Sequence, residues 1–377
     1  MVILPRAELA TSYTDNLFSL SGTNRVSDAI TSVTPGLKLK WDENATVDAS
    51  LDYRHGEVLI WDNSDFNSKS DTVEAKVGYT AAKWRATGNA GFSDTVALQR
   101  GFLNQGRNLL RTQIISGSAA ATYDWTAKSD LTAALNYRDA NYDSRFLIDQ
   151  RQMDGRLGFS HDLTTRLRWT ADVKSGQTTA TSNDGRATTL DSFFYGALVG
   201  VRGSFTEKLT GAVRVGYEIR QFDGGESFSA ATPAIGLDVS YQASVLTRVT
   251  LTYDRTTGVG AWQGGQVTIQ DAVSLRLIHA LGITGRWLVS ANGRVNFGDY
   301  QFDRSLFPPG TPDFARTDSS YGIDLAVQYR PQPWLTCSAG YSFDKYELNF
   351  PDPFAAFFVL AQSYMANRVF VSVTVGF

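Results

Sequence analysis

The chain has 377 residues, a formal net charge of -3, 12% aromatic residues and a mean hydropathy of -0.20. Its length alone would fit two or three soluble domains. No run approaches the ~20 apolar residues of a transmembrane helix, the longest being Phe354 to Ala361. The near balance of charge gives no footing for nucleic acid, and a lone cysteine, Cys337, excludes an internal disulfide.

At the N-terminus, Met1 leads into Val2, Ile3, Leu4 and Pro5 with no basic stretch and no small-residue cleavage site. A chain bound for an outer membrane must first cross the inner one. The expectation is therefore that a leader has been removed and that Met1 is a replacement start.

From there on, the dominant signal is strict alternation of apolar and polar residues over runs of about 8 to 12 residues. Val47, Ala49, Leu51 and Tyr53 alternate with Asp48, Ser50 and Asp52. Val73, Ala75, Val77 and Tyr79 alternate with Glu74, Lys76 and Gly78. Further along, Leu209 to Ile219 and Tyr321 to Tyr329 behave alike, and the C-terminus sets Val369, Val371, Val373, Val375 and Phe377 against Phe370, Ser372, Thr374 and Gly376. Successive side chains of a strand point to opposite faces, so each run has one apolar face. An alternating barrel averages out as hydrophilic, which reconciles the hydropathy with a membrane location.

Short turns are expected near Asp42–Asn44, Ala82–Lys83, Thr126–Ser129, Asp162–Thr165, Thr206–Lys208, Ser244–Thr247, Gly282–Gly285 and Pro331–Pro333, one per ~40 residues. Longer polar segments fall between them, near 15–28, 55–71, 95–110, 139–148, 175–189, 220–229, 255–265, 298–318 and 345–366. Short periplasmic turns and longer extracellular loops are the outer-membrane arrangement. The expected fold is all-β: one antiparallel up-and-down transmembrane barrel over residues 1–377, with about 18 strands, or 16, and periplasmic termini.

Six of the eight tryptophans, Trp41, Trp84, Trp125, Trp169, Trp287 and Trp334, sit at or beside the short turns, while Tyr13, Tyr53, Tyr137, Tyr217 and Tyr253 lie toward the other strand ends. Amphipathic rings gather at membrane interfaces, so these read as two girdles. A soluble sandwich has no reason for this bias, and a propeller would carry blade motifs that are absent.

The polar face holds both signs of charge. The lumen-lining candidates are Lys38, Asp48, Asp52, Glu74, Lys76, Arg85, Asp154, Arg156, Arg168, Asp172, Arg202, Arg214, Glu218, Asp238, Arg276, Arg294, Asp324, Arg330 and Arg368. Facing lipid at the bilayer centre, an Arg or Lys would cost about 2–4 kcal/mol. The charges read either as a selectivity wall or as a solvated surface paired across strands. Mixed signs favour a neutral polar solute over a strongly ion-selective pore. The apolar loop with Phe354, Phe357 and Phe358, and a second with Phe307, either constrict the lumen, meet a partner or cap the rim.

No catalytic, metal or cofactor constellation is legible. His55, His161 and His279 are far apart, and no ligand cluster accompanies them. Ser160 adjoins His161, but neighbours in a strand face oppositely. The expectation is a protein that is not an enzyme and needs no cofactor.

Ala10-Thr-Ser-Tyr13-Thr-Asp15-Asn16-Leu17-Phe18, then Ser27-Asp28-Ala-Ile30, then Pro35-Gly36-Leu37, resembles the β-barrel porins found with exopolysaccharide and exosortase gene clusters. The resemblance implies export of a secreted polysaccharide beside a periplasmic export protein. By residue type alone, Asp15-Asn16 suits a turn leaving the strand. The terminal Phe377 resembles the signal read by the barrel-assembly machinery. The other expected partners are outer-membrane lipid and lipopolysaccharide. Two further readings stay open: a general or solute-specific diffusion porin, and a structural barrel whose occluded lumen holds a partner.

Overall fold

A computed structural model describes residues 1–20, 25–44, 46–98, 109–144, 147–182, 191–223, 228–259, 266–282, 285–302, 316–349 and 363–376. Along the chain lie β1 (Val2–Thr14), β2 (Asp28–Asn44), β3 (Val47–Ile60), β4 (Ser68–Thr80), β5 (Trp84–Leu98), β6 (Leu109–Thr126), β7 (Ser129–Tyr142), β8 (Ile148–Asp162) and β9 (Leu167–Ser182). They continue as β10 (Asp191–Ser204), β11 (Leu209–Asp223), β12 (Phe228–Ser244), β13 (Thr247–Val259), β14 (Gln266–Leu281), β15 (Trp287–Phe302), β16 (Arg316–Gln332), β17 (Leu335–Asn349) and β18 (Tyr364–Gly376). Each strand pairs antiparallel with its sequence neighbours, and β1 also pairs with β18, from Arg6 opposite Gly376 to Thr14 opposite Arg368. Closure removes both sheet edges, as a lipid environment requires of a spanning sheet.

The short connections all lie at one end, together with both termini. Their geometry repeats. In the β8–β9 turn, Thr164 Oγ1 accepts from the amides of Arg166 and Leu167 at 3.2 and 3.0 Å. In the β10–β11 turn, Thr206 Oγ1 accepts from those of Lys208 and Leu209 at 3.3 and 3.0 Å. A threonine two residues before a basic residue therefore closes both turns, because its hydroxyl takes up amides that the reversal strips of partners. Strand bulges at Asp42/Asn44, Asp124/Thr126, Gln242/Ser244 and Tyr329/Gln332 precede four other turns.

At the other end the strands outrun the sequence expectation. β3 and β4 reach Ile60 and Ser68, inside the segment expected to be a loop at 55–71, and β11, β12, β13, β15 and β16 advance likewise into theirs. Strands of 13 to 18 residues exceed the roughly 9–11 that cross a bilayer. The excess stands at the long-loop end, where polar residues on both faces suit water.

Register settles which face each residue takes. Val33, Leu37, Tyr53, Val77, Phe92, Leu135, Leu157, Val199, Val213, Val369 and Val371 share the outer face and are 39–63% exposed. Near the top of this band, tyrosine hydroxyls reach toward polar partners. Tyr53 donates to Asp71 at 2.9 Å, Tyr137 to Asp139 at 3.2 Å, Tyr253 to Asp271 at 2.6 Å and Tyr341 to Asn367 at 2.6 Å. Each ring lies on the apolar band with its hydroxyl in the polar row above, the placement that an amphipathic ring prefers at an interface.

The tryptophans occupy the opposite border. Trp41, Trp84, Trp169 and Trp287 lie on the outer face at the short-turn end, Trp125 sits at the β6 bulge beside the β6–β7 turn, and Trp334 lies in the β16–β17 turn. Trp84 packs on Tyr123 at 4.7 Å and Trp287 stacks on Tyr329 at 4.4 Å. His161 and His279 lie in the same border, each with its Nδ1 beside a hydroxyl of the preceding strand, Ser129 at 2.9 Å and Thr247 at 2.8 Å. Ser160 points the other way and is buried.

Candidate functional site: the lumen and its two inward-folded segments

With strands ~4.8 Å apart and tilted by about 40°, a circular barrel of 18 strands has a backbone diameter of roughly 36 Å. Side chains cannot fill that space, so the inner wall is solvated and available to a solute.

The inner wall is identified by contacts that jump a strand. Arg6 on β1 pairs with Asp52 on β3, Arg168 on β9 with Asp130 on β7, and Arg294 on β15 with Asp344 on β17. Lys174 on β9 reaches Glu218 on β11 at 2.5 Å. Side chains two strands apart converge only on the concave side of a closed sheet.

The nineteen lumen candidates of the sequence all have this parity. Several are paired. Asp52 also meets Arg54 at 3.3 Å, Glu74 meets Lys76 at 2.9 Å, and Arg85 meets Asp124 at 2.8 Å. Arg156 meets Asp172 at 2.6 Å, Arg168 also meets Asp162 at 2.5 Å, and Arg294 also meets Asp324 at 2.5 Å. Asp154 accepts from Asn136 and Gln152 at 2.8 and 3.0 Å. Lys38, Asp48, Arg202, Arg214, Asp238, Arg276 and Arg330 have no opposite charge within 4.0 Å among the described residues. Arg368 shares the face opposite Thr14. The pairs most exposed on both sides, Glu74–Lys76 and Arg85–Asp124, are each worth about 0–1 kcal/mol; they shape the wall more than they hold the barrel.

Two segments that the sequence did not single out as constrictions fold inward at the long-loop end. The first is the start of the β1–β2 connection. Leu17 and Phe18 are 0% and 1% exposed and pack on Ile30 and Ile60 of the inner wall, with Phe18 edge-on to Phe66 at 5.1 Å. Asn16, 2% exposed, donates to the carbonyls of Leu20 at 2.8 Å and Met365 at 2.7 Å and accepts from the Leu20 amide at 2.9 Å. Asp15 accepts from the Asn367 amide at 2.7 Å and its side-chain amide at 2.6 Å. Asp15-Asn16 does leave the strand in a bend, as its residue types suggested, but it also fastens β1 to β18 where the barrel closes. The visible signal was the apolar Leu17-Phe18 in a loop that ought to be polar.

The second segment is the upper part of the β13–β14 hairpin. β13 pairs with β12 only up to Arg255 opposite Ile235, although β12 continues to Phe228 and β13 stays paired with β14 to Val259 opposite Val267. Beyond Arg255 the hairpin leans across the inner wall. Thr257 donates to Glu218, Gln150 on β8 donates to the carbonyl of Val259 at 3.2 Å, and Val259 packs on Ile148, Ala180, Phe222 and Ala230. Beneath it Arg220, 3% exposed, lies over the Phe194 ring at 4.4 Å and donates to Ser192 at 3.0 Å. Small inner residues make room for the hairpin: Ala180, Ala230 and Ala234. The sequence-proposed constriction residues Phe354, Phe357, Phe358 and Phe307 lie outside the described residues, as does Phe377.

Among solved structures, the chain is similar to the FrpB iron transporter of Neisseria meningitidis, with 8% identity, a TM-score of 0.52 and coverage of 99% of this chain and 81% of that one. It is also similar to BauA, the ferric preacinetobactin receptor of Acinetobacter baumannii, with 9% identity, a TM-score of 0.51 and coverage of 99% and 80%. OpdO of Pseudomonas aeruginosa shows 14% identity, a TM-score of 0.46 and coverage of 99% and 97%. At such identities the likeness is one of fold. No curated protein matches the sequence. The family described as "Putative beta-barrel porin 2" matches residues 1–377, and with the closed apolar-faced barrel this makes the chain a member of that family and an integral outer-membrane, porin-like protein.

Proposed function

We propose that this barrel carries a secreted polysaccharide outward across the outer membrane, entering at the short-turn end in the periplasm. The observation that carries the reading is the polar lumen wall of a closed barrel of 18 strands, wide enough for a hydrated chain of sugars. The match of Tyr13-x-Asp15-Asn16 and Pro35-Gly36-Leu37 to porins of exopolysaccharide clusters supports the choice of cargo. The tryptophan border and short turns support the orientation, since outer-membrane barrels keep short turns in the periplasm. A periplasmic export protein docks at that end, lipid and lipopolysaccharide cover the apolar band, and the assembly machinery reads the C-terminal sequence that includes Phe377. Deleting the gene should abolish surface polysaccharide; an unchanged surface layer refutes export.

A second reading, diffusion of small polar solutes, is favoured by the two inward-folded segments, which narrow the long-loop end. Stable single-channel conductance with permeation of small sugars, together with normal polysaccharide in the deletion strain, would select it.

A further inference from the structure

The sequence counts charges of both signs on the inner wall, but the structure does not present them equally. Between β5 and β10, toward the short-turn end, the wall forms a recess of 540 Å³ lined by Arg85, Arg156, Arg168 and Arg202 and by hydroxyls that include Ser160 and Thr170. Its carboxylates lie at the bottom. The side chains of Asp130 and Asp172 are 5% and 6% exposed, while those of Arg168 and Arg156 above them are 27% and 43% exposed. Asp124 and Asp162, at the short-turn edge, are taken up by Arg85 at 2.8 Å and Arg168 at 2.5 Å.

The cause is side-chain length. An aspartate ends close to the backbone, and an arginine two or three bonds longer folds over it, so the layer that meets the lumen is guanidinium. Each guanidinium carries five N–H donors and spends only some of them on its aspartate. Arg202 is exposed, has no carboxylate within 4.0 Å among the described residues, and donates a side-chain hydrogen bond to Ser160 at 3.3 Å. Planar forks of this kind match carboxylate and sulfate oxygens.

We propose that this recess is a binding site for anionic saccharide, holding carboxylate- or sulfate-bearing sugar units as they enter from the short-turn end. The inference rests on the export reading for the saccharide, but the cationic front stands on the geometry alone. The purified full-length barrel in a planar bilayer under a potassium chloride gradient should show a reversal potential displaced toward that of chloride. An oligogalacturonate or a sulfated oligosaccharide added at the short-turn side should block current at concentrations at least about tenfold below a neutral glucan of equal length, and comparing the two anions tells carboxylate from sulfate. The double variant Arg85→Gln/Arg202→Gln leaves no buried acid unpaired; it should move the reversal potential toward zero and remove most of the block. Cation selectivity, equal block by anionic and neutral oligosaccharides, or a double variant that behaves like the parent would overturn the proposal. Because selectivity and block are measured without cells, they hold or fail independently of whether gene deletion removes surface polysaccharide.

Discussion

Replacing Asn16 by alanine tests whether the Asp15-Asn16 pair fastens the barrel seam. The regular ladder between β1 and β18 ends at Thr14 opposite Arg368. Beyond it the contact is carried by Asp15 and Asn16, through the Asp15 amide to the Asn367 carbonyl at 3.1 Å and the side-chain bonds already described. Asn16→Ala deletes three side-chain hydrogen bonds at a position 2% exposed. At about 1 kcal/mol net for each, the loss is roughly 3 kcal/mol. It also strands the Met365 carbonyl and the Leu20 amide, which adds to the cost rather than offsetting it. Three kcal/mol raises a local opening equilibrium by about a hundredfold. Hydrogen exchange on the barrel in detergent or lipid reads this directly. The Asp15, Leu17 and Asn367 amides should lose about two orders of magnitude of protection, while the β6–β7 ladder keeps its own. Unchanged protection at the seam, or a uniform loss around the whole barrel, would refute the assignment.

Three further outcomes follow from the wall and the hairpin. Joining Thr256 to Gln270 by a two-residue turn removes the part of the hairpin that leans over β8 to β12; single-channel conductance should rise, and an unchanged value would mean that this segment does not limit flow. Arg168→Gln leaves Asp130, 3% exposed, without its cation. It should lower unfolding stability in urea by about 3–5 kcal/mol, and adding Asp130→Asn should restore most of it. Val371→Arg on the outer face should cost about 2–4 kcal/mol in the same assay, whereas Ser372→Arg, one residue on and facing the lumen, should cost far less; equal penalties would contradict the inside–outside assignment.

Much of the architecture is legible without coordinates because a strand writes its two faces into alternate residues. Tyr53 and Asp52, Val371 and Ser372, and Trp169 and Arg168 are adjacent in sequence and opposite in environment. Any sequence that alternates in this way over 18 stretches, with short and long breaks in turn, has its strand number and its two surfaces decided locally. The β8–β9 and β10–β11 turns are equally local, since a threonine hydroxyl and two amides within four residues close each of them.

The features that lie across the lumen are not local, and for that reason the sequence is silent on them. Nothing near Thr257 or Val259 says that they leave β12 and rest on Glu218 and Ala180. Nothing near Asp15 says that its partner is Asn367, 352 positions away. The same holds for charge. Residue types set the sign of each group and the side of the wall it occupies. Only curvature, which brings Arg168 over Asp130 two strands off, decides that the cations stand forward and the carboxylates lie beneath. The sequence by itself determined a barrel with an apolar outside and a charged inside; closure decided which of those charges a solute meets, because the inward packing of long side chains over short ones depends on neighbours that only the closed sheet brings together.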